Sequence, residues 1–286
     1  MKFKSSLSHR GQEPEKCVLY IVGTPIGNLE DISFRALKIL KNVSLIACED
    51  TRQTKKIMNK FKIENNLISF NKENGYKKIP KLINYLKSGE SIALVSDAAM
   101  PGICDLGEDL VRNVKINGFD AICIPGPCAA INALISSGMP SSSFIFEGFL
   151  PKKNKDREAI LLEISKRQKT TILFESPYRL MKLLKELKDF CGGEREIQVS
   201  REITKKYEEH FNFSINEVIR YFGTKEVVGE ITLVIKGKEN KDQEFKKFLI
   251  KKELYDLIDA GLSLSAASKY LAKKKNLTKS EIYNLH

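Results

Sequence analysis

Residues 91–110 read SIALVSDAAMPGICDLGEDL. The apolar run Ile92-Ala93-Leu94-Val95 has the pattern of a strand buried on both faces, as in a parallel sheet. It breaks at once into Ser96-Asp97-Ala98-Ala99-Met100-Pro101-Gly102, a loop of small residues with one carboxylate. Asp105-Leu106-Gly107-Glu108 then opens a helix expected to reach Ile116, with acids in its first turn, where they suit the positive end of the dipole. In open α/β sheets, ligands bind just beyond the carboxyl ends of the strands. This loop offers backbone amides, one acid and no bulk, although an ordinary strand-to-helix connection reads the same way.

The same unit recurs on either side. Cys17 to Val22 is a strand entering Gly23-Thr24-Pro25-Ile26-Gly27-Asn28-Leu29, which matches neither the phosphate-binding nor the dinucleotide glycine pattern. Asp31 is expected to cap a helix bearing Ile32, Leu37 and Leu40. Val43 to Cys48 is a strand ending in Glu49-Asp50-Thr51-Arg52, which suits either a site or a helix cap. A weaker strand at Leu67–Phe70, an exposed loop over 71–78 and a helix over 79–87 lead back to residue 91. Asp120 to Ile124 reads as another buried strand, and Pro125-Gly126-Pro127-Cys128-Ala129-Ala130 starts a helix with small residues, Pro127 in its first turn. Strand, loop and helix in alternation predict a parallel sheet.

A second, smaller mixed sheet is expected from strands at 143–149, 170–174, 196–200 and 226–236. Between the first two lie a basic loop, Pro151-Lys152-Lys153-Asn154-Lys155, and a helix from Arg157 to Arg167. The strand at 170–174 ends in Glu175-Ser176-Pro177-Tyr178-Arg179, and that at 196–200 in Arg201-Glu202-Ile203-Thr204-Lys205-Lys206. From Asn240 the composition shifts to Lys, Leu and Ala. Residues 261–272 and 276–283 read as two helices, the second with Thr278 and Glu281 at capping-box spacing. Lys273-Lys274-Lys275 is either an RNA contact or a solvated face. The division expected is a disordered tail 1–16, α/β domains 17–140 and 141–238, and a helical appendage 239–286.

The 286 residues carry 48 basic against 36 acidic side chains, a net charge of +12, which points to a polyanionic partner or to a generally lysine-rich composition. With 42% hydrophobic residues and no apolar run of membrane-spanning length, a globular cytoplasmic protein is expected. The six cysteines include no C-x-x-C pair and read as reduced, small core side chains. Three histidines, two of them near the termini, argue against a zinc site or a histidine triad, so no metal is expected.

Read together, LYIVGTPIGNLEDISFRAL, CEDTR, ALVSDAAMPGICDLG, IPGPCAAINAL, FEGFLPKK, FESPYR and REITK occur in order from Leu19 to Lys205, within a resemblance that covers roughly Tyr20 to Lys236. In this series the chain resembles the ribosomal RNA small subunit methyltransferase I family of the tetrapyrrole methylase superfamily. The resemblance implies a two-domain α/β enzyme, homodimeric, that binds S-adenosylmethionine in a cleft between domains. It implies methylation of a cytidine ribose 2′-oxygen in the decoding region of 16S ribosomal RNA, within the small ribosomal subunit. Where the family commonly has S-D-A-G-T-P and D-P-G, this chain has Ala99-Met100 and Leu106. Glycine's access to positive φ and a threonine hydroxyl are both lost.

The resemblance places cofactor binding at Pro25, Ile26, Gly27, Val95, Ser96, Asp97, Ala98, Ile103, Cys128, Ala129, Phe174 and Glu175. Cys128 reads equally as a buried thiol. Candidates for taking the ribose proton or steadying charge are Glu49, Asp50, Arg52, Glu175, Arg201, Glu202 and Lys205. Lys152, Lys153 and Arg179 are expected RNA contacts. Positioning alone can also supply most of the rate, with no single base. Two other readings are a tetrapyrrole C-methyltransferase, against which the basic loop and net charge argue, and a non-catalytic ribosome-binding factor.

Overall fold

The computed structural model describes residues 13–97, 100–239 and 241–286, with 241–247 by backbone alone. They form two compact units: residues up to Ser165 with Lys169–Lys236, and Lys166–Gln168 with Gly237–His286.

The first unit holds two five-stranded sheets. In the first, β1 (Val18–Val22), β2 (Leu45–Cys48), β3 (Leu67–Ser69), β4 (Ile92–Val95) and β5 (Asp120–Ile124) lie in the order β3-β2-β4-β1-β5, all parallel. The near-continuous apolar runs of β1, β2 and β4 are explained by burial on both faces. Val18, Tyr20, Val22, Ile46 and Ala93 point to one side, toward α1 (Phe34–Asn42) and α2 (Thr51–Phe61). Leu19, Leu45, Ala47, Ile92 and Leu94 point to the other, toward α3 (Gly75–Lys87) and α4 (Gly107–Ile116). That alternation is the two-residue period of a strand.

The second sheet contains β6 (Phe144–Phe149), β7 (Thr170–Glu175), β8 (Glu196–Arg201), β9 (Glu209–Ser214) and β10 (Ile231–Ile235), in the order β6-β7-β10-β8-β9. Only β6 and β7 pair in parallel. Helices α6 (Asn154–Lys166), α7 (Pro177–Cys191) and α8 (Ile215–Phe222) cover one face. The other face is covered by α5 (Ala129–Ser137), which follows β5 of the first sheet; its Ala130, Ala133 and Leu134 pack on Ile172 and Val234. One helix thus belongs to the first sheet by sequence and to the second by packing.

In the second unit, α9 (Lys241–Asp259), α10 (Leu264–Lys275) and α11 (Lys279–Tyr283) bury Leu254, Ala267, Leu271 and Ile282. The capping box of Thr278 and Glu281 forms as its spacing predicts. No described helix is long and apolar enough to cross a membrane.

Several local expectations are corrected. Ser33, not Asp31, caps α1, because Leu29–Asp31 forms a 3-10 turn capped by Asn28. Helix α3 begins at Gly75, inside the expected exposed loop, with Gly75 itself buried against Phe70 and Leu106. Strand β5 is a sheet edge with Asp120 and Cys123 exposed, so it is not fully buried. Cys104 and Cys123 are exposed and only Cys48 is buried, so the cysteines are not uniformly core side chains. Pro127 precedes the cap Cys128 and lies outside α5. The last strand starts at Ile231 rather than 226, and α7, β9 and α8 had no separate sequence signal. Most of the expected polar tail, residues 1–12, lies outside the described residues. Its end is packed: the Glu13 carboxylate is buried against the Arg35 guanidinium, and the Glu15 N–H donates to the Tyr20 hydroxyl at 2.8 Å.

Candidate active site at the strand ends

The carboxyl ends of β1, β2, β4 and β5 converge on loops held together chiefly by backbone groups. The buried Thr24 hydroxyl donates to the Ser96 carbonyl at 2.9 Å, joining the β1 and β4 loops. The Asp50 N–H donates to Asp97 Oδ1 at 2.9 Å, and the Ser96 hydroxyl to Glu49 Oε2 at 3.2 Å, joining the β2 and β4 loops. Gly23 and Gly126 touch backbone to backbone: a Cβ on Gly126 would lie 2.7 Å from Gly23 Cα, nearer than packed carbons approach. Asp105 Oδ1 accepts the Gly102 and Gly107 N–H groups at 2.8 and 2.6 Å, which folds the Pro101–Leu106 turn onto the start of α4.

The carboxylates in this cluster differ. Asp50 caps α2 by accepting the Arg52 N–H at 2.8 Å, and its carboxylate also takes the Arg52 guanidinium, with Nη2 at 2.6 Å. These bonds lower its pKa to about 2. Asp97 faces solvent, yet the surrounding loops strip enough water from it to raise its pKa; the Asp50 N–H opposes this, and the neighbouring Glu49 and Asp50 charges add to it. Asp97 is therefore the more basic of the two, and Asp50 is a cap and ion-pair partner.

Of the expected cofactor residues, Pro25, Ile26 and Val95 turn their side chains into the core, so they can offer only backbone. Gly27, Asp97 and Ile103 are exposed; Ser96, Cys128 and Ala129 are half-buried. Cys128 makes no side-chain cap bond to α5, so the first N–H groups of that helix carry no side-chain cap. Ala98 and Ala99 lie outside the described residues. Met100 occupies the space beside Gly23: a Cβ there would meet its sulfur at 2.5 Å.

The second sheet contributes through the ends of β7 and β8, which flank the start of β10, with Ile231 opposite both Glu175 and Arg201. The β8 loop meets the β1 loop directly. Asn28 N–H donates to Thr204 Oγ1 at 3.0 Å, and a Cβ on Gly27 would lie 2.4 Å from Lys205 Cγ. Glu202 and Thr204 both adopt left-handed backbone, φ 55° and 67°, rare for non-glycine residues.

Charge locks this edge. Glu175 is buried between Arg157, at 3.6 Å, and Arg179, at 2.6 Å, while the equally buried Arg157 also pairs with Glu186 at 2.7 Å. Arg201 pairs with Glu209 at 3.1 Å. Lys205 bridges Glu202 at 2.9 Å and Glu230 at 3.1 Å. Burial pushes the Glu202 pKa up, but the Glu230 N–H and Lys205 outweigh it and hold it below the usual range. Burial pushes Lys205 down, and its two carboxylate partners overcome that. Phe174 lies edge-on to Phe146 with centroids 5.1 Å apart. Lys152 and Lys153 are exposed in the loop before α6.

The structure therefore gathers the strand-end residues of both sheets, while Lys152 and Lys153 stand out in solvent. Sequence reasoning missed Thr24, whose signal was a hydroxyl directly after a buried strand, and Arg157, which looks like any charge on an amphipathic helix. Among the described residues, no group of three or more His, Cys, Asp or Glu side chains is placed to hold a metal.

Comparison with known proteins fits this arrangement. Residues 18–219 match the model of the tetrapyrrole (corrin/porphyrin) methylases. Proteins named ribosomal RNA small subunit methyltransferase I are similar over most of the chain. That of Synechocystis is 41% identical, covering 94% of this chain and 96% of the relative; that of Bacillus subtilis is 40% identical, covering 94% of each. That of Thermotoga maritima is 46% identical over 77% of this chain and 99% of its own length. Among solved structures, a cobalt precorrin-4 methyltransferase aligns with TM-score 0.58 at 15% identity, covering 77% of this chain and 95% of that one. The uroporphyrin-III-C-methyltransferase of Thermus thermophilus aligns with TM-score 0.53 at 16% identity, covering 76% and 93%. These two establish a shared fold. By its sequence matches, the chain belongs to the ribosomal RNA small subunit methyltransferase I family within the tetrapyrrole methylases.

Proposed function

We propose that this protein uses S-adenosylmethionine to methylate the RNA of the small ribosomal subunit, at the ribose 2′-oxygen of a decoding-region cytidine. Family membership over most of the chain is the observation that carries this reading. The residues at the strand ends fit the cofactor. Uncapped N–H groups of α5, the accessible Asp97 carboxylate and the exposed Ile103 side chain suit a ligand with polar ends and an apolar middle. Pro25–Gly27, Val95–Ala98, Ile103 and Cys128–Ala129 would hold it from the first sheet, and Phe174–Glu175 from the second.

S-adenosylmethionine supplies an electrophilic methyl carbon. The protein must hold the ribose oxygen in line with it, at roughly 3–3.5 Å. Asp50 is a poor base, because its bonds to Arg52 lower its pKa, and the Glu175 side chain is buried and already paired with Arg157 and Arg179. Positioning thus carries the rate, and the paired charges fix the walls of the site. Exposed Lys152 and Lys153 would meet phosphate, and Arg179 the RNA beside Glu175. The protein acts in the cytoplasm as a homodimer built from α/β domains 17–140 and 141–238 with the appendage 239–286.

The test is transfer of labelled methyl from S-adenosylmethionine to small subunits lacking decoding-region methylation, beside naked RNA. One new alkali-resistant linkage at a decoding-region cytidine is the expected result. Label elsewhere refutes the target, and transfer to a tetrapyrrole instead of RNA refutes the substrate.

A further inference from the structure

In the unit that holds both sheets, the described aromatic side chains more than 60% exposed are Phe34 at 93%, Tyr76 at 63%, Tyr178 at 96% and Tyr207 at 64%. All four lie in the segment that follows the carboxyl end of a strand: β1, β3, β7 and β8 respectively. Three of them, Phe34, Tyr76 and Tyr178, occupy the first or second position of a helix, where the chain turns back from the strand ends. None is on the opposite rim. Each also has a cation as chain neighbour: Arg35, Lys77, Arg179 and Lys206. Lys77 and Lys206 are exposed, and Lys206 Nζ stands 5.4 Å from the Tyr207 ring centroid.

Large aromatic side chains left in water forgo the burial that stabilises folds, so a set confined to one rim marks a binding surface. An aromatic beside a cation suits single-stranded nucleic acid, whose bases stack on rings while phosphates meet positive charge. Local pairing tells the roles apart. Arg35 and Arg179 are held by Glu13 and Glu175, so next to Phe34 and Tyr178 the rings are the freer groups. The β1 and β8 loops touch, and β7 and β8 end on either side of Ile231, so the segments that carry Phe34, Tyr178 and Tyr207 leave from neighbouring strand ends. Tyr76 stands apart, on α3, which covers the face of the first sheet opposite α1 and follows β3, three strands from β1.

We propose that Phe34 and Tyr178 are stacking platforms for unpaired RNA bases flanking the methylated nucleotide, with Tyr207 and Tyr76 extending the track. This rests on the RNA methyltransferase reading above. It adds how the strand would be splayed open at the site: the target ribose is presented by its neighbours' bases, not by its own.

The experiment is steady-state methyl transfer to unmodified small subunits, comparing wild type with Phe34→Ala, Phe34→Leu, Phe34→Trp and Tyr178→Ala. S-adenosylmethionine affinity by calorimetry and oligomeric state by sedimentation are measured on the same samples. The Ala and Leu variants are expected to raise KM for subunits about 5- to 100-fold each, as loss of one base stack does. Phe34→Trp should restore it, and cofactor affinity should not move, because both side chains are in solvent. Unchanged KM, or Phe34→Leu equal to wild type, overturns stacking. A shift of any variant to a smaller species overturns it in favour of a protein interface. No methyl transfer by wild type overturns the enzyme reading and this proposal together; transfer by wild type with indifferent variants overturns this proposal alone.

Discussion

The two sheets end at the site in different ways. Loops of the parallel sheet are joined by backbone and hydroxyl groups: Thr24 to Ser96, Asp50 N–H to Asp97, and Gly23 against Gly126. The mixed sheet's edge is joined by charge, through Arg157, Glu175 and Arg179 and through Glu202, Lys205 and Glu230. Small loops leave N–H groups and space for a ligand. Ion pairs fill that space and fix side chains instead. The difference teaches that a polar cluster at a strand end is not by itself a set of free catalytic groups. Its internal pairing decides whether it binds or braces.

The largest effect is expected where a buried pair is broken on the charged edge. Arg157→Met leaves Glu175 with Arg179 alone and should cost about 3–5 kcal/mol in urea unfolding. If Arg157→Met is neutral, that edge is not braced by charge. Next comes the backbone contact on the open edge. Gly126→Ala forces the β1 and β5 loops apart and should cost about 1–3 kcal/mol of stability, with a clear loss of cofactor affinity by calorimetry. Smaller is Ser33→Ala, which removes the α1 cap bond to Ala36 N–H, about 1 kcal/mol by thermal unfolding.

The smallest effect sharpens the comparison through pH. The folded Asp50 pKa of about 2 lies below its ordinary 3.8. The stabilisation it gives is therefore complete above pH about 4 and is lost as pH falls toward 2. An Asp50→Asn variant should show a flatter stability profile in that window, and its transfer rate near neutral pH should keep every ionisation that wild type shows. A pH–rate limb abolished by Asp50→Asn would make Asp50 a base after all.

Much of this was legible in sequence. Buried parallel strands announce themselves as short apolar runs, and β2 and β4 fell where Ile46 and Leu94 predict. The loops after them were visible because Gly, Pro and Asp interrupt those runs. What sequence withheld was pairing. Glu175 looks like a free acid until Arg157, from a helix 18 residues earlier, is placed against it. Likewise β9, with Glu209, His210 and Asn212 among its six residues, lacks an apolar run because it is a sheet edge. Exposure was illegible too: nothing in Phe34 itself says that it faces water, since its helix buries Ala36, Ile39 and Leu40 instead.

Under the proposed function, the carboxyl ends of the parallel sheet form the cofactor site. Calorimetric titration of S-adenosylmethionine into wild type and Gly126→Ala tests it most directly. One molecule bound per chain, with affinity reduced at least tenfold in the variant, is the expected result. No binding by wild type, or equal binding by a folded Gly126→Ala protein, would contradict it.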